Sequence, residues 1–133
     1  MSLVVPNVGE VTALSYLVGK TTTTENLVLG LYTNNVTPGE SDTAGTYTEA
    51  SGFGYSAITL TGASWTITPG APTTASYPQQ TFTFTGAAGN MYGYYLRRAS
   101  SLDLVYAERF SDGPYNVVNN GDTVKVTATI GAE

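Results

Sequence analysis

The chain reads as an all-β, jelly-roll-like β-sandwich with one short N-terminal helix, and three observations support this. Thr, Tyr and Val, which suit a pleated and half-buried surface, recur along its length. Fifteen glycines and six prolines interrupt it at short intervals. Several segments alternate with period two, most clearly Gln80 to Thr85, where Phe82 and Phe84 share one face and Thr81, Thr83 and Thr85 the other. About seven or eight such strands, separated by closely spaced turn signals, fit a sandwich or barrel.

With 133 residues the chain is long enough for one core, and folding at this size buries roughly two thirds of the unfolded surface. No internal repeat or composition break divides it. The expected organisation is a single domain, 1–133, with an apolar arm and helix over 1–20 and the sandwich over 27–130.

The arm, Met1 to Pro6, includes Leu3, Val4 and Val5. Asn7 as cap, Glu10 three residues later and Gly19 as terminator predict a helix over about residues 8–18. Val8, Val11, Leu14, Leu17 and Val18 form its apolar stripe, which either packs on the sheet or binds a neighbouring subunit. Lys20 to Asn26 is a Thr-rich linker. Leu27 to Thr33 is a strand apolar or neutral on both faces, hence central. Asn34 to Gly54 follows as an unusually long loop, a length that points to function or to ordering by a partner, and a short strand fits at Thr46 to Glu49.

Tyr55 to Leu60 and Ser64 to Thr68 read as a strand pair, and Thr68 to Pro78 as a Pro/Gly loop. After the Gln80 to Thr85 strand, Met91 to Ala99 places Met91, Gly93, Tyr95 and Arg97 opposite Tyr92, Tyr94, Leu96 and Arg98. Leu102 to Phe110 sets Leu102, Leu104, Tyr106 and Glu108 against Asp103, Val105, Ala107 and Arg109. A loop with Asp112-Gly113-Pro114 leads to the Asn119-Asn120-Gly121 turn. In the closing strand, Val124, Val126, Ala128 and Ile130 face inward.

Composition excludes several classes of chemistry. The chain has no His and no Cys, so imidazole bases, thiol nucleophiles and thiolate or imidazole metal sites are absent. The formal charge is −5 and only Arg97 and Arg98 form an adjacent basic pair, which argues against nucleic acid as a partner. No run approaches the roughly 18 apolar residues of a membrane span, and no Lys or Arg precedes Lys20 as a secretory signal requires. Cytoplasmic synthesis without membrane insertion is the expectation.

The glycines at Gly52 and Gly54 lack the spacing of a phosphate-binding loop. Glu49, Asp103, Glu108 and Asp112 are the carboxylates from which a glycosidase pair would have to come, but isolated acids at strand ends are more simply solvated or paired with Arg97, Arg98 or Arg109. Glu40, Ser41, Asp42 and Thr43 offer oxygens without the pattern of a calcium loop. Neither an enzyme nor a cofactor or metal site is expected. Tyr92, Tyr94, Tyr95, Tyr106 and Tyr115 form either an amphipathic interface or cross-strand packing. Arg97 and Arg98 point to opposite faces, leaving one free to meet a neighbour.

LVLGLYTNNVTPGESDTAGTYTEASGFGYSAITL (Leu27 to Leu60), followed by WTITP, MYGYYL, LVYAERF and the closing Asn120-Gly121-Asp122 turn, resembles a group of small tailed-phage structural proteins. The resemblance runs in order along nearly the whole chain. It is to capsid cement or decoration proteins, and implies a β-sandwich or jelly roll that sits, as a homo-oligomer (dimer or trimer), over joints between major capsid subunits. The location implied is the virion surface after assembly in the bacterial cytoplasm. A tail or tail-fibre module that recognises a receptor or carbohydrate is the alternative. The expected contacts are Leu3, Val4, Val5 and Pro6 of the arm; Asn34, Asn35, Glu40, Asp42 and Tyr47 of the long loop; and Tyr94, Tyr95, Arg97 and Arg98 of the tyrosine-rich strand.

Overall fold

The computed structural model describes residues 5–20 and 25–132; Leu3 and Val4 of the arm, and Thr21 to Thr24 of the linker, lie outside them. Helix α1 spans Asn7–Leu17. Pro6, not Asn7, holds the cap position, its carbonyl accepting from the Glu10 N–H at 3.0 Å. Proline at this end loses nothing, because the first N–H groups of a helix have no internal partner. Gly19 ends the helix as expected, with φ +74 beyond the last turn.

Eleven strands follow among the described residues, more than the seven or eight expected: β1 (Leu27–Tyr32), β2 (Ile58–Leu60), β3 (Thr66–Thr68), β4 (Thr73–Ser76), β5 (Gln80–Thr83), β6 (Gly89–Met91), β7 (Gly93–Arg98), β8 (Leu104–Arg109), β9 (Tyr115–Val117), β10 (Thr123–Val126) and β11 (Thr129–Ala132). They pair antiparallel in four small sheets with orders β2-β1-β7-β8, β10-β5, β11-β4-β3 and β6-β9. The segments read as one strand pair therefore separate: β2 joins β1, whereas β3 joins β4. β4 and β9 lie in stretches read as loops. Their sequences, TTAS and YNV, are too short to establish a period.

The inner face of the four-stranded sheet brings Leu29, Leu31, Tyr94, Leu96 and Tyr106 against Phe82, Phe84, Val124 and Val126, a sandwich-like arrangement with one shared core. Along Gln80 to Thr85 and Thr123 to Ala128 the burial alternates as the sequence pattern predicts.

The outer face is also covered. Tyr32, Tyr95, Leu104 and Ala107 form a second cluster beneath Tyr47 of the long loop, whose ring stacks on Tyr95 (centroids 5.3 Å) and tilts against Tyr32 (4.8 Å). β1 is accordingly central and buried on both faces at its C-terminal half. A register shift between β7 and β8 pairs Leu96 with Tyr106 but Arg97 with Leu104. That bulge moves Leu104 away from the Tyr106 face, where simple alternation had placed it.

Candidate functional site

Helix α1 touches the sandwich through its smallest residue. Gly9 is the only buried residue of the helix, and a Cβ there would overlap the Val105 carbonyl oxygen of β8. β8 is the outer strand of its sheet, so the helix covers an otherwise open edge. The Asn7 N–H fixes the approach by donating to the Glu40 carbonyl at 2.9 Å, Pro6 is fully buried, and Val5 packs partly on the core.

Seating the helix on Gly9 turns its apolar stripe outward. Val11, Leu14, Leu17 and Val18 are 65%, 58%, 80% and 73% exposed, and Val8 is at the margin. The residues whose spacing marks a packing face are those the fold leaves in water. Packing on the chain's own sheet is therefore not what the stripe does in the isolated chain.

The other expected contact residues fall into two groups. Asn35 and Glu40 are exposed. Asn34 instead completes the loop: its amide donates to the Thr46 carbonyl and accepts from the Thr48 N–H, both at 2.9 Å. Asp42 accepts from the Gly39 N–H (2.8 Å) and the Tyr47 hydroxyl (2.6 Å). Together with a bridge between Tyr32 and Glu49, these bonds order the loop without a partner. Thr46 to Glu49, read as a short strand, holds the end of a 3₁₀ turn (Ala44–Thr46) and this single bridge.

Tyr47, Tyr94, Tyr95 and Tyr106 are buried, so most of the tyrosine cluster supports the sheet from within; Tyr92 and Tyr115 are half-buried. Both arginines have partners inside the chain. Arg97 meets Glu49 at 3.1 Å and lies over the Tyr95 ring, while Arg98 meets Glu25 at 2.8 Å. The Tyr55 hydroxyl also donates to Glu49 (2.7 Å) and accepts from the Leu31 N–H. Space for this cluster comes from Gly30, where a Cβ would lie 3.1 to 3.2 Å from Tyr95, Glu49 and Tyr55. Glu25 joins the helix end to the β7–β8 turn, because it also accepts from the Ser100 N–H and hydroxyl and from Tyr16. The Ser100 N–H and then Arg98 hold its carboxyl down at about 2.

A cleft of about 370 Å³ opens beside β8 and β10, lined by Glu108, Phe110, Asp112, Tyr115, Lys125 and Thr127 among others. Glu108 accepts from the hydroxyls of Tyr94 (2.8 Å) and Tyr106 (3.4 Å). Asp112 accepts a short hydrogen bond from Tyr115, whose ring lies 4.6 Å from that of Phe110. Two of the four acids singled out in the sequence thus share this cleft. Among the described residues, no three carboxylates converge as a metal site would require. The sequence carries no spacing signal for the cleft, since its residues come from β7, β8, the turn after it, β9, β10 and β11.

No described helix is long and apolar enough to cross a membrane. No family model, curated protein or solved structure matches the chain.

Proposed function

We propose that the chain is a non-enzymatic virion structural protein of a tailed phage, a jelly-roll-like cement module that binds over joints between major capsid subunits. The observation that carries this reading is the outward apolar face of α1, and the ordered resemblance to decoration proteins supports it. Burying a Val or Leu side chain gains about 1.5–3 kcal/mol. Scaled by their exposure, Val11, Leu14, Leu17 and Val18 together gain about 4–8 kcal/mol. Association itself costs about 4–15 kcal/mol in lost freedom, so the helix alone supports only weak binding. A lattice that engages several copies at once overcomes that limit through effective concentration.

In this reading the chain assembles as a dimer or trimer on the virion surface, and its partners are itself and the major capsid protein. Binding the assembled shell but not the separated subunits stabilises the shell by mass action. A tail or tail-fibre location is the alternative for the same module.

The test is the pair Leu14→Glu with Leu17→Glu. Both side chains are exposed, so no packing is lost, and two carboxylates toward the helix C-terminus, one of them four residues after Glu10, lower stability in urea by only about 1–2 kcal/mol. Sedimentation with expanded capsids is lost, as is self-association in analytical ultracentrifugation. Retention of capsid binding by the folded double variant contradicts the assignment of this face.

A further inference from the structure

We propose that the cleft beside β8 and β10 binds a neutral carbohydrate, a site independent of the capsid reading and with no lining residue on α1. Its volume of about 370 Å³ lies within the range of small-ligand pockets, about 300–1,000 Å³. Its lining combines what a sugar requires. Phe110 and Tyr115 supply an aromatic pair for the apolar C–H face of a pyranose ring. Glu108 and Asp112 supply carboxylate acceptors for hydroxyl donors, and Lys125 and Thr127 supply donors for hydroxyl or ring oxygens.

The two acceptors are held in place before a ligand arrives. Glu108 is half-buried, forms no ion pair among the described residues, and has one oxygen, Oε2, fixed by the Tyr94 and Tyr106 hydroxyls. Its other oxygen, Oε1, has no hydrogen-bond partner among the described residues. Tyr94 is itself locked, because its hydroxyl accepts from the Thr129 N–H at 3.2 Å. Burial raises both tyrosines' pKa values, so they remain donors throughout the neutral range. Asp112 is oriented in the same way by Tyr115. Fixing polar groups before binding lowers the entropy loss on association, which matters most for ligands as hydrated as sugars.

Charge selects a neutral ligand over a cationic one. Two carboxylates alone would attract an ammonium or guanidinium group, but Arg109 and Lys125 line the same cleft and balance their charge. A sugar hydroxyl both donates and accepts, and so satisfies both signs at once.

The experiment is amide chemical-shift mapping of the full chain with maltose, cellobiose and N,N′-diacetylchitobiose, each raised to about 20 mM, which detects dissociation constants near 1 mM. At least one sugar shifts amides confined to residues 108–115 and 125–129. Tyr115→Ala and Asp112→Asn each weaken that binding about tenfold or more, while the rest of the spectrum shows the fold intact. The variant Leu14→Glu with Leu17→Glu keeps the sugar shifts, which separates failure of this site from failure of the helix face. Absence of shifts in these segments with all three sugars overturns the proposal. So does a response there to L-arginine methyl ester alone, which assigns the cleft to a cationic side chain.

Discussion

Replacing Gly9 by Ala tests how α1 is held, because two effects of opposite sign compete at one atom. In a free helix, Ala is favoured over Gly by about 1 kcal/mol, so a loosely attached α1 is stabilised by the change. In the docked helix, the new Cβ overlaps the Val105 carbonyl oxygen and lies 3.0 Å from the Val105 carbonyl carbon. The obstacle is strand backbone with no flexible side-chain end to move aside, so the helix must shift from its seat. Overpacking of this kind costs about 1–3 kcal/mol, and the upper part of that range applies to a backbone overlap. The net expectation is destabilisation by about 1–2 kcal/mol, read as a Tm lowered by about 4–8 °C at this chain length. Ala13→Gly, at an exposed position of the same helix, serves as reference and loses about 1 kcal/mol through propensity alone. Thermal and urea unfolding followed by circular dichroism measure both. A Gly9→Ala protein as stable as wild type, or more so, refutes a helix seated on β8.

The remaining predictions concern the ion pairs. Glu25 has a carboxyl held at about 2, against an ordinary 4.5, by the Ser100 N–H and Arg98. A depressed folded value means the stabilisation is complete above about 4.5 and is lost as pH falls toward 2. Glu25→Gln flattens that acid limb in urea unfolding measured across the pH range, and a slope parallel to wild type there contradicts the role of this carboxylate. Glu49→Gln leaves the Arg97 guanidinium half-buried without its anion while keeping an oxygen for Tyr55. The loss falls between the values for exposed and buried pairs, about 1–3 kcal/mol, and a double-mutant cycle with Arg97→Met isolates the coupling. A coupling near zero contradicts the pairing.

The mostly-β class was legible where both neighbours of a residue reported the same face. Phe82 and Phe84, and Val124, Val126 and Ala128, alternate against Thr and Lys, and their burial alternates accordingly. Gly19 likewise marked the end of α1, since a left-handed residue after the last turn is a local requirement. What failed to show were consequences of long-range contact. Tyr47 and Tyr95 belong to a buried cluster only because the loop after β1 folds back over the outer face of the sheet. No local pattern announces that return, or the Asn34 side chain that holds it.

The bulge in β8 reverses Leu104 for the same reason, because register is a property of the pair β7–β8 and not of either strand. The helix is the most informative case. Its spacing identified the apolar stripe correctly, but Gly9, a residue with no side chain to signal packing, decides which face meets the sheet. Apolar periodicity shows that a face seeks burial, and only tertiary structure shows whether the chain provides it. The two arginines illustrate the same limit, since Glu25 and Glu49 are far from Arg98 and Arg97 in sequence yet pair with them.

The most direct measurement of the central proposal is cryo-microscopy of purified particles that carry this chain. A capsid cement module predicts density at the joints between major capsid subunits, with Val11, Leu14, Leu17 and Val18 of α1 buried in the contact. Density confined to the tail, or a capsid-bound copy whose helix face still points into solvent, contradicts it.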